Sequence, residues 1–434
     1  MQLYSTNHQS PSVSLEEAIF RGLPPDNGLY LPEKIATLPE SFFQNIQSLS
    51  FPELASVVAT TLLGDAIPES EVRKIVYKAI DFDAPLVSIE QDTFVLELFH
   101  GPSMAFKDFG GRFMAGLMSY FLQQSKKEIH ILVATSGDTG GAVAQGFHRT
   151  PGVKVTILYP SKKVSDIQEK QLTTLGDNVT ALEVNGTFDD CQHLVKQAFL
   201  DEELNQKYNL SSANSINIAR LIPQTFYYFY AYAQAQKFGK PVVFSVPSGN
   251  FGNLSAGLIA QKMGLPVHQF IAATNLNHIV PDYLKTGNYS PKPSVETISN
   301  AMDVGNPSNF ARMQALFGSQ LERLQEKVTG AYYDDEQTRA AIQKVYQQTG
   351  YVMCPHTAVA YLGLKEYRTS QGSDDFTGIF LATAHPAKFL PTVEEAIGAK
   401  VPLPTRLAEL LDKKKAATSM TNRFPEFKAW LMSR

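Results

Sequence analysis

Lys107 stands in a short segment whose composition favours a reactive amine. Phe106 and Phe109 flank it, and Gly110 and Gly111 allow another part of the chain to approach closely. Burial among apolar groups disfavours the ammonium form, lowers the pKa of a lysine and prepares its amine to attack a carbonyl group. A lone lysine in this position could equally be a solvent-exposed side chain at the start of a helix. The rest of the sequence has to decide between these interpretations.

Two glycine-containing segments have compositions typical of anion-binding loops. Residues 247–253 form the PSGNFGN loop and residues 135–141 form the TSGDTGG loop, each lying between a strand-like run and a helix-like run. Backbone N–H groups at a helix start, together with hydroxyl and carboxamide groups, bind phosphate or carboxylate. Either loop alone could be only a tight turn that uses glycine and a polar cap. Neither matches the P-loop or the dinucleotide-binding pattern G-x-G-x-x-G.

A reactive lysine combined with two anion sites indicates a phosphorylated aldehyde as cofactor. Pyridoxal 5′-phosphate (PLP) carries an aldehyde that condenses with a lysine amine, and a phosphate that needs its own binding loop. We therefore expect PLP to be attached to Lys107. We expect no metal.

The elements that must position these residues alternate between strands and helices. Short β-branched runs, each followed by a helix-like run, predict a mainly parallel α/β sheet with helices on both faces. Binding loops then lie beyond the carboxyl ends of the strands. The predicted strands are Ile129–Ala134, Val153–Tyr159, Val179–Val184, Pro241–Val246, Val267–Ala273 and Gly378–Ala382, with helices from Ala142 and over Leu254–Met263.

The first eighty residues instead predict helices joined by turns rich in proline and glycine. Apolar residues recur at helical spacing over Leu15–Gly22, Phe51–Leu63 and Ser70–Ile80. The predicted domains are an N-terminal helical domain (1–80), a large PLP-binding α/β domain (81–113 and 225–434) and a small mobile α/β domain (114–224).

Composition restricts the classes of partner. The chain has 434 residues, 44% of them hydrophobic, and a net charge of −4, which argues against a nucleic-acid or anionic-membrane partner. Cys191 and Cys354 lie far apart and cannot alone form a zinc site. The N-terminus lacks the apolar core of a signal peptide. We expect a cytoplasmic monomer that acts on a small molecule, or a matrix protein that has lost its presequence.

Several motifs together resemble one enzyme family. HGPSMAFKDFGGRFM, ATSGDTGGAVA, NSINIAR, VPSGNFGN, NAMDVGNPSN and TAHPAKF occur in this order, after an opening segment VSLEEAIFRGLPPDNGLYLP. Over nearly the whole chain they resemble threonine synthases, in particular the longer bacterial and fungal members. The resemblance implies fold type II of the PLP enzymes (tryptophan synthase β-like), with two open, twisted, mostly parallel sheets, flanking helices and an N-terminal domain. It also implies conversion of O-phospho-L-homoserine and water to L-threonine and phosphate.

The resemblance assigns roles in cofactor binding. Lys107 matches the lysine that forms the Schiff base, and Thr383 matches the residue whose hydroxyl faces the pyridine nitrogen. Asp138 falls where related enzymes have asparagine beside the 3′-oxygen of the cofactor, and a carboxylate there would repel a phenolate unless a proton is shared. The segment matching the phosphate cradle comprises Ser248, Gly249, Asn250, Phe251, Gly252 and Asn253.

The resemblance also implies two subsites for the substrate. Ser136, Gly137 and Thr139 match the site of its α-carboxylate. A guanidinium suits a phosphate dianion, although Arg220 could instead form a salt bridge on a helix surface. The candidates for the substrate phosphate are Ser103, Asn214, Ser215, Asn217 and Arg220, with one of Lys162 and Lys163 (Lys163 being preferred).

Two classes of alternative function remain at this point. Another fold type II lyase, such as a threonine dehydratase or a phosphohomoserine phosphate-lyase, would share the cofactor site and differ in its product. A non-catalytic homologue that only binds phosphate would lack the Schiff base on Lys107. We expect His100, His356 and His385 to be structural, hydrogen-bonded histidines.

Overall fold

The computed structural model describes residues 1–125, 128–372 and 375–434, which form three β-sheets and their flanking helices. The strands are β1 (Gln2–Ser5), β2 (Val13–Ser14), β3 (Tyr30–Pro32), β4 (Leu86–Glu90), β5 (Thr93–Glu97), β6 (Ile129–Ala134), β7 (Val153–Pro160), β8 (Val179–Asn185), β9 (Leu210–Ser212), β10 (Val242–Pro247), β11 (Val267–Thr274), β12 (Val328–Tyr332), β13 (Thr377–Ala382) and β14 (Thr418–Thr421).

The helices cover both faces of the two larger sheets. They are α1 (Leu15–Arg21), α2 (Glu40–Asn45), α3 (Phe51–Leu63), α4 (Glu69–Ala79), α5 (Lys107–Ser125), α6 (Asp138–Phe147), α7 (Asp166–Thr173), α8 (Phe188–Leu200), α9 (Glu202–Lys207), α10 (Ile218–Leu221), α11 (Gln224–Ala235), α12 (Gly252–Lys262), α13 (Ile279–Thr286), α14 (Phe310–Leu316), α15 (Leu321–Gln325), α16 (Asp335–Thr349), α17 (Pro355–Gln371), α18 (Leu390–Ile397), α19 (Thr405–Leu411) and α20 (Phe424–Met432). Within the described ranges, no helix is long and apolar enough to cross a membrane.

The N-terminal segment contains the predicted helices and, in addition, a small sheet. Helix α3 has the predicted bounds, and its start is fixed by a capping box between Ser50 and Glu53 and by a proline in the first turn. Helices α1 and α4 lie within one residue of their predicted bounds. Strands β1, β2 and β3 pair antiparallel, so the segment is not purely helical. They were missed because they are only two to four residues long.

The large sheet has the strand order β12-β11-β10-β13-β5-β4. All its pairs are parallel except β4 with β5. Strands β10, β11 and β13 lie within one residue of their predicted bounds, while β4, β5 and β12 were not predicted. Because β5, β13 and β10 are parallel neighbours, the loops that follow them meet at one edge of the sheet. Those loops contain Lys107, Thr383 and Ser248.

The small sheet has the order β14-β8-β7-β6-β9 and is parallel throughout. Strand β6 has its predicted bounds and leads into the TSGDTGG loop. Helix α6 begins at Asp138, four residues before the predicted start at Ala142. The last four residues of the loop are therefore the first turn of the helix. Two mostly parallel sheets with flanking helices confirm the predicted fold class.

The structure departs from the predicted domain division at two places. Helix α5 runs without interruption from Lys107 to Ser125, so the boundary after residue 113 falls inside one helix. The C-terminal segment belongs to the small sheet, because β14 pairs with β8 and α20 packs Phe427 and Leu431 against that sheet's apolar face. The pattern gave no signal for β14 because only one of its four residues is buried.

Candidate active site

Lys107 is the first residue of α5 and follows the loop that leaves β5. This loop runs beside the segment after β13, as three backbone hydrogen bonds show. The N–H of Leu98 donates to Ala382, that of Phe106 to Thr383, and that of His385 to Met104, at 2.8–3.0 Å. The pairing brings Lys107 and Thr383 to the same place, although they are far apart in sequence.

The Lys107 amine makes no hydrogen bond or ion pair with any residue that the structure describes. Its Nζ lies 5.2 Å from the centre of the Phe106 ring. Burial lowers the pKa of Lys107, the charge of Asp138 opposes this shift, and the charges of Lys388 and Arg220 add to it. A lysine with a lowered pKa and an unpaired amine has the properties of a nucleophile or a general base. The sequence-based hypothesis of a reactive amine is consistent with this environment.

The PSGNFGN loop presents a row of free backbone donors at the start of α12. The N–H groups of residues 249–253 make no hydrogen bond to any described residue, because the nearby side chains bond to one another. Ser248 Oγ donates to Asn253 Oδ1 at 3.0 Å, and Asn253 Nδ2 donates to the Pro247 carbonyl at 2.8 Å. Phe251 adopts a left-handed conformation with φ of 57°. Five open N–H groups at the positive end of a helix form a site for a phosphate dianion.

Packing within the protein requires one of the two glycines of this loop and not the other. A Cβ on Gly249 would lie 2.5 Å from the backbone Cα of Met302, so close packing requires glycine there. A Cβ on Gly252 would meet only ordinary contacts, the nearest being 3.5 Å from the Asn309 side chain and 3.6 Å from that of Ser215. Contacts within the protein therefore do not explain the glycine at position 252, whereas a ligand bound beside it would explain it.

In the TSGDTGG loop the side chain of the first residue, Thr135, already accepts hydrogen bonds from two of the backbone N–H groups. Thr135 Oγ1 accepts hydrogen bonds from the N–H groups of Gly137 at 3.0 Å and Gly140 at 2.9 Å. The N–H groups of Ser136, Asp138 and Thr139 bond to no described residue. Gly137 has a φ of 135°, which side-chain-bearing residues rarely adopt. The loop therefore offers three N–H groups, enough for a carboxylate.

Asp138 forms an ion pair with Lys388, a residue to which the sequence analysis assigned no role. Lys388 Nζ lies 2.6 Å from Asp138 Oδ1, and both side chains are almost fully buried. Gln168 Nε2 donates to the same oxygen at 3.0 Å. Burial alone would raise the pKa of Asp138, but the charges of Lys388 and Lys107, with these hydrogen bonds, hold it well below the usual range. Asp138 is therefore an ionised carboxylate with a compensated charge.

The Ser103 carbonyl joins this pair to the loop that precedes Lys107. It accepts hydrogen bonds from Lys388 Nζ at 3.0 Å and from Gln171 Nε2 at 2.9 Å. Gln171 lies on α7, which packs with the small sheet, whereas Ser103 follows β5 of the large sheet. These contacts connect the two sheets directly at the site.

Arg220 is buried against the first turn of α5. A Cβ on Gly110 would lie 2.6 Å from Arg220 Nε, so the arginine fits there only because residue 110 is glycine. Its Nη1 donates to the Ala213 carbonyl, and Nε has no hydrogen-bond partner among the described residues. Burial lowers the pKa of Arg220 to about 10, and the charge of Asp108 opposes the shift. The alternative of a salt bridge on a helix surface is wrong, because the side chain is buried and no described carboxylate pairs with it.

Further buried polar atoms near Lys107 lack hydrogen-bond partners. They are Ser103 Oγ, Asp108 Oδ1, Gln171 Oε1 and Asn214 Oδ1. Ser103 and Asp108 are neighbours, since the Ser103 N–H donates to Asp108 Oδ2 at 2.8 Å. Buried polar atoms in proteins are nearly always satisfied. A concentration of unsatisfied ones around a buried guanidinium indicates a site built for a polar ligand.

Ser215 connects the surroundings of Arg220 to the PSGNFGN loop. Asn250 Nδ2 donates to Ser215 Oγ at 2.6 Å, and Arg312 Nη1 donates to the Ser215 carbonyl at 3.2 Å. Arg312 is fully buried and also holds the carbonyls of Tyr30 and Ile216. The segments predicted to bind cofactor phosphate and substrate phosphate are therefore adjacent.

The contacts of three predicted substrate residues give no support for that role. Asn217 caps α10 with Oδ1 and uses Nδ2 to bind the carbonyls of Ile19 and Ser212, so its carboxamide is structural. Lys162 and Lys163 are exposed in the turn after β7, and neither side chain makes a hydrogen bond or ion pair with another predicted site residue in the described part of the chain. Their assignment stays a prediction, since a lysine after a strand end carries no information on the direction of its side chain.

The three histidines are hydrogen-bonded, as expected for structural residues. His100 bonds Glu97 at 2.8 Å, His356 Nε2 accepts from the Ala301 N–H at 3.2 Å, and His385 Nδ1 accepts from the Ala387 N–H at 3.1 Å. His356 nevertheless lies close enough to Lys107 and Asp138 to sense their charges, while burial lowers its pKa to about 4.

Sequence reasoning missed Lys388, Gln168 and Gln171. The only signal for Lys388 was its position in TAHPAKF, a motif that was considered for Thr383 alone. The two glutamines lie on α7 outside every motif, and nothing in their spacing indicated that they would bind Asp138 and Ser103.

The residues present fit PLP on three observations. The Lys107 amine is unpaired, the five N–H groups of residues 249–253 are open, and Gly252 leaves a space that the fold does not require. The Thr383 hydroxyl, close to Lys107, also bonds to no described residue and is free for a ring nitrogen.

Comparisons with known proteins agree with this geometry. Residues 83–381 match the family model for pyridoxal-phosphate dependent enzymes. Residues 2–80 match the threonine synthase N terminus, and residues 357–430 match the threonine synthase C-terminal model. The threonine synthase of Haemophilus influenzae is 45% identical over 433 residues, covering 100% of both chains. That of Escherichia coli is 45% identical over 95% of both chains.

Solved structures show the same architecture. The threonine synthase of Escherichia coli superposes with a TM-score of 0.93 at 43% identity, covering 100% of both chains. A PLP-bound threonine synthase from Brucella melitensis gives a TM-score of 0.93 at 34% identity, covering 100% of this chain and 99% of that one. The expected cofactor is thereby confirmed as PLP. This chain belongs to the threonine synthase family of PLP-dependent lyases.

Proposed function

We propose that the chain converts O-phospho-L-homoserine and water to L-threonine and phosphate. The observation that carries the proposal is a pair of separate anion sites near Lys107. The open N–H groups of residues 249–253 suit the cofactor phosphate, and the buried, unpaired Arg220 suits a second phosphate. A dehydratase that acts on threonine would need no second phosphate site.

The cofactor would be held by residues from four segments. Lys107 would form the Schiff base, residues 248–253 would bind the phosphate, the Thr383 hydroxyl would face the ring nitrogen, and Asp138 would lie near the 3′-oxygen. The compensation of Asp138 by Lys388 supports this placement, because a neutralised carboxylate repels a phenolate much less. When bound, PLP supplies an electron sink that acidifies the Cα–H bond of an amino acid.

The substrate would be held at both of its anionic ends. The N–H groups of Ser136, Asp138 and Thr139, at the start of α6, are open for the α-carboxylate. Gly137 allows the turn that aims them. The phosphate would be bound by Arg220 Nε and the Ser103 hydroxyl, both buried without a partner among the described residues, with the Ser215 hydroxyl and the Asn214 amide NH2 as further donors. A bound phosphate would provide the anion that the guanidinium otherwise lacks.

Lys107 is proposed to move the protons. As a neutral amine it would remove the Cα proton, deliver it to C4′ and, neutral again, remove a proton from Cβ as phosphate is lost from Cγ. Arg220 stabilises the charge on the departing phosphate. Lys107 would pass the Cβ proton to Cγ, which becomes the methyl group. Water adds at Cβ and gives its remaining proton to the released phosphate, and Lys107 returns the proton held at C4′ to Cα. The lowered pKa of Lys107 supports this role, because only the unprotonated amine can accept a proton.

We also propose that the small domain moves to enclose the substrate and exclude water. The small sheet touches the Lys107 loop through the bond from Gln171 to Ser103 and through the pair of Asp138 with Lys388. We propose that the chain acts as a monomer. A cytoplasmic location is proposed from the composition and the class of reaction.

The proposed reaction is tested by incubating the holoenzyme with O-phospho-L-homoserine and assaying phosphate and threonine. We expect the two products in equal amounts. Phosphate with 2-oxobutyrate and ammonia would indicate a phosphate-lyase, and activity on threonine alone would indicate a dehydratase. Lys107→Ala should abolish activity and the Schiff-base absorbance at about 410–430 nm, whereas Lys196→Ala, an exposed lysine on α8, should change neither.

The second phosphate site is tested separately with Arg220→Met. Loss of a charged hydrogen-bonding group costs about 1.5–3 kcal/mol, so KM for O-phospho-L-homoserine should rise by about 10- to 100-fold. The absorbance of the bound cofactor should remain. An unchanged KM would show that Arg220 does not bind the substrate phosphate.

A further inference from the structure

We propose that Lys388 is a positioning residue that occupies Asp138 and thereby keeps the Lys107 amine unpaired. The inference relies on the proposed function only in treating Lys107 as the reacting amine. It concerns the competition of two lysines for one buried carboxylate, and it gives Lys388 a role beyond joining the two domains.

The contacts around Asp138 show which lysine occupies it. Lys388 lies 2.6 Å from Asp138 Oδ1 and is fully buried. Its ammonium also donates to the Ser103 carbonyl at 3.0 Å, four residues before Lys107. Gln168 Nε2 donates to the same carboxylate oxygen at 3.0 Å. Lys107, whose charge also acts on Asp138, makes no hydrogen bond or ion pair with any described residue.

The other charged or titratable groups near Lys107 do not offer it an alternative anion. Arg220 is a cation. His356 is kept neutral by burial, which lowers its pKa to about 4, and its Nε2 accepts the Ala301 N–H. Asp108 is buried and accepts the Ser103 N–H at 2.8 Å, and its charge acts on Arg220 and not on Lys107. Among these groups, Asp138 is the carboxylate whose charge favours the ammonium form of Lys107.

The consequence of the competition follows from electrostatics. An opposite charge within a few ångströms shifts a pKa by about 1–3 units, and here the shift would be upward for Lys107. Lys388 opposes it in two ways, by neutralising Asp138 and by adding a like charge near Lys107. Each unit of upward shift would reduce the fraction of neutral amine about tenfold at a pH below the pKa. The fold therefore uses a second lysine to keep the first one reactive.

The experiment measures the pKa of Lys107 directly in the full-length apoprotein. The rate of acetylation by acetic anhydride, read at the Lys107 peptide by mass spectrometry over a range of pH, gives the midpoint without cofactor or substrate. In Lys388→Met the midpoint should rise by about one unit or more. Lys388→Arg, which retains a cation, should stay near the wild type. The matched control Lys365→Met removes a surface ion pair with Glu90, 2.8 Å long, and should not shift the midpoint.

Variants of the carboxylate complete the test. Asp138→Asn should lower the midpoint of Lys107, because Lys388 then acts on it unopposed, and Asp138→Asn combined with Lys388→Met should return toward the wild type. An unchanged or lowered midpoint in folded Lys388→Met would overturn the proposal. Should Lys388→Met fail to fold, an unchanged or raised midpoint in Asp138→Asn would overturn it equally. Because no substrate is used, this outcome is independent of whether the chain makes threonine.

Discussion

The TSGDTGG and PSGNFGN loops look alike in sequence but present different numbers of backbone donors. In the PSGNFGN loop the side chains of Ser248 and Asn253 bond to each other, and five consecutive N–H groups remain open. In the TSGDTGG loop the hydroxyl of Thr135 takes two N–H groups, and three remain. The larger set suits a phosphate dianion and the smaller set a carboxylate. The position of one capping hydroxyl, and not the number of glycines, distinguishes the two loops.

The loops differ also in charge. Asp138, within the TSGDTGG loop, is the first residue of α6 and is ionised through its pair with Lys388. The corresponding polar residue of the PSGNFGN loop, Asn250, is neutral and donates to Ser215 at 2.6 Å. A carboxylate in a phosphate cradle would repel the ligand, whereas the TSGDTGG loop can hold one because a buried lysine compensates it.

The largest effect is expected from Asp138→Asn, which leaves Lys388 buried without a counter-charge. Breaking a buried pair in this way costs about 3–5 kcal/mol in the free energy of unfolding. The folded pKa of Asp138 lies below its unfolded value of 3.8. The stabilisation is therefore complete above that pH and lost as the pH falls through the lower folded pKa. Urea unfolding of the apoprotein should show a difference from the wild type that is constant from pH 7 to about pH 4 and shrinks at lower pH.

A matched control for this prediction is Asp177→Asn. Asp177 pairs with Arg149 and His148 at 2.8–2.9 Å, but on the surface. Exposed pairs contribute little because water already solvates both charges. An equal loss in both variants, or a loss in Asp138→Asn that is unchanged at low pH, would contradict the role given to the buried pair.

Gly249→Ala should have the next largest effect. Its Cβ would lie 2.5 Å from the Met302 Cα, which is backbone and cannot rotate away. Overpacking of this kind costs about 1–3 kcal/mol, and displacement of the PSGNFGN loop should weaken PLP binding. Urea unfolding and a cofactor titration measure the two effects. Gly141→Ala in the other loop is the control, because its Cβ would have an ordinary 3.5 Å contact with Gln171 and should cost nothing.

The elements that sequence predicted well are those whose signal is local. Strands β6, β10 and β13 are buried along their whole length and therefore read as continuous apolar runs. Strand β14 was missed because it is short and only one of its four residues is buried. Strand β5, although mostly buried, follows a mixed run that gave no alternating pattern.

The site residues that could be predicted from the sequence are likewise those with a local signal. Lys107 and the two loops could be predicted because each carries its chemistry within a few residues. Lys388 could not, since its function depends on a contact with Asp138 from another domain. Asn217 was misassigned for the converse reason, because its carboxamide is used by Ile19, a residue of the N-terminal segment that no local pattern connects to it.

Thr135→Val tests the capping hydroxyl that distinguishes the loops. The substitution keeps the shape but leaves the N–H groups of Gly137 and Gly140 without an acceptor, which should cost about 1–2 kcal/mol of stability. Because the TSGDTGG loop is assigned to the substrate, KM for O-phospho-L-homoserine should rise while PLP affinity stays constant. Ser248→Ala removes the hydroxyl of the other loop and should have the opposite pattern, with weaker PLP binding. A change in PLP affinity of the same size in both variants would contradict the division of roles.

Gly252→Ala should have the smallest effect on stability. Its Cβ would meet only atoms 3.5 Å or more away, its backbone is not in the left-handed region, and alanine is the better residue in a helix. The free energy of unfolding of the apoprotein should therefore stay within about 1 kcal/mol of the wild type, or rise. If the space at Gly252 belongs to the cofactor phosphate, the same methyl group should reduce PLP affinity, measured by titrating the apoprotein and following the Schiff-base absorbance. Gly252→Ala would then lower PLP affinity without lowering stability, whereas Gly249→Ala lowers both. Unchanged PLP affinity would place the phosphate away from Gly252 and limit its cradle to the N–H groups before α12.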